Sequence, residues 1–334
     1  MQNILSAVRL CALLLTLLLS AQAQFVAPIQ PTDEPASPSE DAPGSVLIYN
    51  LYSSFNGDPQ SEDTRLTITN THPASSVWVR FYFINGTTGA KVQRDIQLSP
   101  RQTKTLLASE VDPGVRGYVI ASAIQASGCP LNFNYLLGSA FIKLATGHGG
   151  QLPALGVRAR ATVACVPRPL TLTNVTLNFN GTVYDKLPDA LSLNSFSSYV
   201  DGNWTMLIVN GISPNLTQPA SAIGGTEGKL FDDATHDFNW SYFVNGPQLA
   251  YSLGSDFPFP YDPSLAAIVP SGRTGWMYWR ASSRLAVYPR PALTGAVLTL
   301  NTNGSATAFS GAHNLQHLTL RTAQLVMPVT SVIP

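Results

Sequence analysis

Two runs decide the fold: Arg65-Leu66-Thr67-Ile68-Thr69, and Val77-Trp78-Val79-Arg80-Phe81-Tyr82-Phe83 closed by Asn85-Gly86. The first alternates strictly between polar and apolar side chains. Successive side chains on a strand point to opposite faces, so this is the signature of a half-buried strand. The second is β-branched and aromatic and ends in a turn dipeptide, which predicts a strand and a tight turn. Outward from these runs the period of two continues. Residues 46–52, 92–98, 103–107, 118–124, 133–144 and 157–165 are strand candidates, and Ser99-Pro100 and Asp112-Pro113-Gly114 turn the chain between them. About seven short strands at such spacing predict an antiparallel sandwich of immunoglobulin or fibronectin-III type over residues 45–166. The antibody pattern is incomplete, because no Trp stands between Cys129 and Cys165.

Residues 167–334 are β-rich again, with strand candidates at 170–177, 204–209, 240–244, 276–279, 296–300 and 317–329. The two blocks echo each other. Residues 45–54 parallel 189–198, and Arg65-Leu66-Thr67-Ile68-Thr69-Asn70 parallels Thr205-Met206-Leu207-Ile208-Val209-Asn210. Residues 138–152, with Gly147-His148-Gly149-Gly150, parallel 295–315, with Gly311-Ala312-His313-Asn314. The order is the same in both blocks, so the expected fold is all-β: tandem antiparallel β-sandwiches, the first immunoglobulin-like.

The leading residues read as an address. Arg9 precedes a ten-residue apolar run at 10–19, and Ala21-Gln22-Ala23 is a small-x-small cleavage site. This predicts a secretory signal peptide over residues 1–23. A spanning helix needs about 20 apolar residues, so a membrane span is not expected in the mature chain. Residues 24–44 hold five prolines and four acids and predict a disordered, extended tether. Removal of the leader takes Cys11 with it, leaving Cys129 and Cys165. An even count in an oxidising compartment predicts one disulfide, placing the protein outside the cytoplasm or in a periplasm.

The runs at 63–71, 98–103, 112–118 and 129–138, with 270–276 and 308–315, resemble a group of uncharacterised exported all-β proteins of bacteria. The resemblance covers most of the chain after the leader. It implies an all-β secreted bacterial protein. No activity, substrate or catalytic residue comes with it.

Composition narrows the function. Of 334 residues, 45% are hydrophobic and only 11% are charged, against about a quarter charged in ordinary soluble domains. Lys plus Arg and Asp plus Glu number 19 each, so the whole chain is formally neutral. The tether holds four of the acids and the leader one base, which leaves the body near +3. That is no nucleic-acid footprint. There is no G-x-S-x-G elbow, no H-E-x-x-H and no calcium-loop pattern. The paired acids Glu62-Asp63 sit in an apparent turn. The densest polar cluster is Asp232, Asp233, His236 and Asp237, whose oxygens could hold calcium, although no glycine shapes a ligand loop there. His313 and His317 are four apart, a spacing that returns to one face of a strand. His148 lies in a glycine turn. Aromatic rings offer a better ligand surface: Phe257, Phe259 and Tyr261 alternate with prolines, and Trp276, Tyr278 and Trp279 share a strand. Such rings either stack on a ligand at small entropy cost or plug the end of a core. The expected function is a secreted or surface-associated β-sandwich that binds or builds structure without a catalytic site. Its expected partner is a protein or glycan outside the cytoplasm, with no nucleic acid. The alternative is an extracellular polysaccharide-acting enzyme or carbohydrate-binding accessory module.

Overall fold

In the computed structural model, the runs at 65–69 and 77–83 lie in strands β2 (Asp63–Asn70) and β3 (Val77–Asn85). The structure describes residues 37–332, apart from 56–59, 166–173, 235, 255–256, 258–263, 283–289 and 302–309. The expected leader, most of the tether and the expected junction at 166–167 lie outside the described residues. From residue 36 onward the chain forms one compact unit. The protein is all-β, built from antiparallel sheets.

The first five-stranded sheet runs in the order β4 (Lys91–Leu98), β3 (Val77–Asn85), β6 (Arg116–Ile124), β1 (Val46–Ser53), β9 (Leu155–Val157). A four-stranded sheet, β5 (Thr103–Leu107), β2 (Asp63–Asn70), β7 (Leu136–Lys143), β8 (Gly149–Pro153), lies against it. The second five-stranded sheet runs β14 (Asp237–Val244), β13 (Gly224–Asp232), β16 (Thr274–Ala281), β11 (Leu187–Ser197), β19 (Gln316–Arg321). Its four-stranded companion runs β15 (Gln248–Leu253), β12 (Asn203–Ile212), β17 (Ala292–Asn301), β18 (Ser310–Asn314). Each strand of the second set sits where the strand numbered ten lower sits in the first. A two-stranded ribbon, β10 (Asn174–Phe179) with β20 (Ala323–Pro328), completes the molecule.

The register carries the same correspondence. The pairing of β1 with β6 slips between Tyr49 and Tyr52, and that of β11 with β16 slips between Leu193 and Phe196. A glycine stands at each slip, Gly117 opposite Tyr52 and Gly275 opposite Phe196. A Cβ on Gly117 would lie 1.8 Å from the Ile84 carbonyl oxygen, and one on Gly275 would lie 3.0 Å from that of Phe231. Ile84 and Phe231 occupy the same place in β3 and β13. Two of the sequence echoes match these strands in register. The third is displaced: the hairpin pairings make Pro153 the counterpart of His313, whereas the echo had set Gly149 beside it.

Burial explains where strict alternation fails. In β1 all eight residues are buried. Leu47 and Tyr49 join Val119 and Ala121 in the core between the first two sheets. Val46, Ile48, Tyr118 and Ile120 point the other way, beneath Val175, Leu177, Phe179, Leu325 and Met327 of the ribbon. A strand covered on both faces reads as a continuous apolar run. β12 behaves likewise: Leu207 and Val209 fill the second sandwich-like core, while Met206 and Ile208 extend the first.

Residues 37–44 correct part of the expected tether. Ser39 exchanges two backbone hydrogen bonds with Gly156, at 3.0 and 2.7 Å, and Gly44 exchanges two with Leu136. This short stretch orders by lending its peptide groups to a sheet edge, which composition does not register. The Cys129–Cys165 disulfide is present, with Cα atoms 5.8 Å apart. Among the described residues no helix is long and apolar enough to cross a membrane.

Candidate functional site

On the outer face of the second five-stranded sheet Trp276, Arg280, Asn239 and Ser241 are exposed, whereas Ala190 and Ser192 of β11 are buried. On the first five-stranded sheet the ribbon covers the equivalent face. β10 follows β9, and β20 follows β19 in the same way, yet β20 pairs with β10 over the first sheet. The strand that would cover the second sheet is thus used elsewhere.

Alternation along β16 sorts its side chains. Met277, Trp279 and Ala281 enter the core, while Trp276, Tyr278 and Arg280 face outward. Cross-strand pairing builds rows on this face. Trp276 stands opposite Phe231, with rings 4.0 Å apart and 3° from parallel. Tyr278 stands opposite Lys229, and Arg280 opposite Glu227. β14 adds Asn239 beside Lys229 and Ser241 beside Glu227. Glu227, Lys229, Asn239, Ser241, Tyr278 and Arg280 line a shallow cleft of about 550 Å³. Trp276 is 38% exposed at its margin.

The charges on this face are paired. Arg280 donates to Glu227 at 2.6 Å, and Lys229 donates to Asp237. The hydrogen bond from Lys229 holds the Asp237 carboxyl below its ordinary range, and the same bond raises the ammonium.

The expected ligand residues divide. Trp276 and Tyr278 lie on the open face. Phe257 and Trp279 do not: both are buried, and Trp279 packs 4.1 Å from Trp240 and 5.7 Å from Phe257. As ligand contacts these two are corrected to core residues. Trp279 follows Tyr278 in a strand, so it must point to the opposite side. Phe259 and Tyr261 lie outside the described residues.

The expected calcium residues are each engaged within the protein. Asp232 accepts from the backbone N–H groups of Ala234 and His236 and meets His236 Nδ1 at 2.7 Å. Asp233 pairs with Arg273 at 2.5 Å, and Asp237 with Lys229. These bonds lower the Asp232 and Asp233 carboxyls, His236 acting on the first and Arg273 on the second. Among the described residues no group of three His, Cys, Asp or Glu side chains converges as a metal site. His313 and His317 do not share a face either. The chain crosses between sheets after β18, so His313 lies in one sheet and His317 in another. His317 meets Ser37 Oγ at 3.2 Å, and burial pushes its pKa down to about 4. His148 is buried against Thr146. Glu62, expected in a turn, is buried and bound by Arg116 at 3.0 Å.

Sequence reasoning missed a chain of buried amides. Asn50 Nδ2 donates to Asn314 Oδ1 at 2.8 Å and to the Gly295 carbonyl at 2.9 Å. Asn210 Nδ2 donates to the Asn50 carbonyl, and Gln248 Nε2 to Asn210 Oδ1. Asn314 Nδ2 reaches Glu40 of the ordered tether end. No local signal marks these residues, because their partners are distant in sequence.

No known family model matches the chain, and no curated protein matches it. Among solved structures, a crystal structure of Thermotoga maritima 1070 is 14% identical over 36% of this chain and 98% of its own, with a TM-score of 0.28. The CupB6 tip adhesin of Pseudomonas aeruginosa is 10% identical over 81% of this chain and 86% of its own, with a TM-score of 0.13. Likenesses this weak bear on neither fold nor function.

Proposed function

We propose that the protein is an exported binding module made of two antiparallel sandwiches of one design, with the outer face of the second five-stranded sheet as its binding surface. The shared strand order, the shared slip in register and the glycine at each slip support the duplication. The immunoglobulin likeness belongs to the centre of the first unit. There β2 pairs with β5 and β3 with β6, as strands B with E and C with F do in that fold. Strands β1 and β7 then fill the sheet positions of G and A, so the likeness comes with permuted edges.

Export accords with the signal-like leader and with the disulfide, which suits an oxidising compartment. The observation that carries the binding role is the exposed Trp276–Phe231 stack beside a polar cleft, on a face whose counterpart is covered. A rigid sheet presents these groups with little entropy to lose on binding.

The test is retention of the purified mature protein on the cells that export it, read after pelleting. The Trp276→Ala/Tyr278→Ala variant is expected to be retained roughly tenfold less, two aromatic contacts being worth more than 1.4 kcal/mol. Its melting temperature should stay close to that of the parent, since both residues lie outside the core. Equal retention of the two proteins would refute the proposal.

A further inference from the structure

The two five-stranded sheets allow a position-by-position comparison of a covered face with an open one. On the covered face stand Arg80, Tyr82 and Ile84 of β3, Tyr118, Ile120 and Ser122 of β6, and Val46 and Ile48 of β1. At the same places the second sheet carries Glu227, Lys229 and Phe231, Trp276, Tyr278 and Arg280, and, buried at the β11 side, Ala190 and Ser192. The change has a direction. The aliphatic chains Val46, Ile48 and Ile120 give way to Ala190, Ser192 and Tyr278. Tyr82 gives way to Lys229. At one end an aromatic ring is enlarged, Tyr118 to Trp276, and another is gained, Ile84 to Phe231.

A protein strand lying on this face would want the aliphatic surface that the ribbon enjoys on the first sheet. The open face has lost that surface. What it offers is rings along one margin and planar polar groups along the other. Along β16 the outward positions recur every two residues, about 7 Å apart. Trp276, Tyr278 and Arg280 therefore form a line from apolar to polar, running from beside the cleft into it. A sugar ring has the matching character, with C–H groups on its faces and hydroxyls around its rim. Its C–H face suits an aromatic ring, and its hydroxyls suit amide, carboxylate and guanidinium partners. The charges decide between neutral and acidic saccharides. Glu227 is bound by Arg280 and Asp237 by Lys229, so the face presents polar atoms with little net charge. An acidic chain would call for surplus cations.

We infer that the open face of the second five-stranded sheet binds a neutral glycan chain, with Trp276 stacking on a sugar ring and Tyr278, Lys229, Asn239, Glu227 and Arg280 bonding its hydroxyls. The inference rests on the proposed binding role of this face and names its ligand class.

The test uses the mature full-length protein and the exporting cells, pretreated in three ways: untouched, oxidised with periodate, which cleaves the vicinal diols of sugars, or digested with protease. Trp276-dependent retention should be lost on periodate-treated cells and kept on protease-treated cells. A second measurement uses cellohexaose, xylohexaose and maltohexaose as soluble competitors, all of which carry the vicinal diols that periodate cleaves. At least one is expected to displace the protein, and Trp276→Ala should weaken its affinity roughly tenfold. Loss after protease but not after periodate would overturn the glycan in favour of a protein partner, and the binding role would survive. A Trp276-dependent dimer in sedimentation without cells would overturn it in favour of a second copy. Retention that ignores Trp276 on untouched cells would remove the binding role itself.

Discussion

Arg80 is the residue on which the covered face turns. Its side chain is fully buried, and its guanidinium forks onto Asp95 at 2.7 and 2.9 Å. The same group donates to the Thr330 carbonyl at 2.8 Å, beyond the end of β20. A buried charge is tolerable only when its partners are complete, and removing one of them leaves the other desolvated and unpaired. Asp95→Ala is therefore expected to cost about 3–5 kcal/mol in urea unfolding, while replacing both residues by apolar ones of similar size should cost much less. Equal losses in the two variants would show that lost packing, and not an orphaned charge, sets the effect. The position of Arg80 in a strand was legible from Val77-Trp78-Val79. Its role was not, because an arginine inside an aromatic run reads as an outward-facing residue until the ribbon above it is seen.

At the scale of the element, the slip in register is what both five-stranded sheets share. Gly117 allows the Ile84 carbonyl to approach a site that any side chain would fill. Gly117→Ala would bring Cβ to 1.8 Å of that oxygen, with backbone on both sides and no flexible side chain to yield. The expected loss is about 2–4 kcal/mol, within the range of strong core disruptions. Gly275→Ala should cost less, because its nearest neighbours at 2.8 Å are the ends of the Phe196 and Val269 side chains. Thermal unfolding of the two variants side by side checks the ranking. The strands themselves were readable, since alternating runs such as Arg65-Leu66-Thr67-Ile68-Thr69 have one buried face. The interruptions were not, because a glycine in a strand reads the same whether it marks a bulge or a close approach.

Taken as a whole, the molecule is held together by elements that serve the half opposite to their own. β20, the last described strand, covers the first five-stranded sheet, and Met206 and Ile208 of β12 complete the core of the first pair of sheets. Met327 of β20 is fully buried there, beneath the same face as Tyr118 and Ile120. Met327→Ala should lower stability by about 2–5 kcal/mol. More tellingly, hydrogen exchange should speed up in β1 and β6, whose outer face it covers. Acceleration confined to β19 and β20 would show that the ribbon does not support the first sheet.

What local pattern settles in this protein is the strand content, the two β-rich blocks and the pairing of Cys129 with Cys165. Each follows from side-chain alternation or from counting, which need no knowledge of distant residues. The split among the aromatic residues was half readable: neighbours such as Tyr278 and Trp279 must face opposite ways, but which of them meets solvent depends on what lies on each side. That came from the destination of β20. Because this strand leaves its own half to pair with β10, one sheet is covered on both faces and its counterpart keeps Trp276 and Tyr278 open. Long-range pairing is a choice among partners of similar local character, and burial of the ribbon's apolar face on Val46, Ile48, Tyr118 and Ile120 decides it.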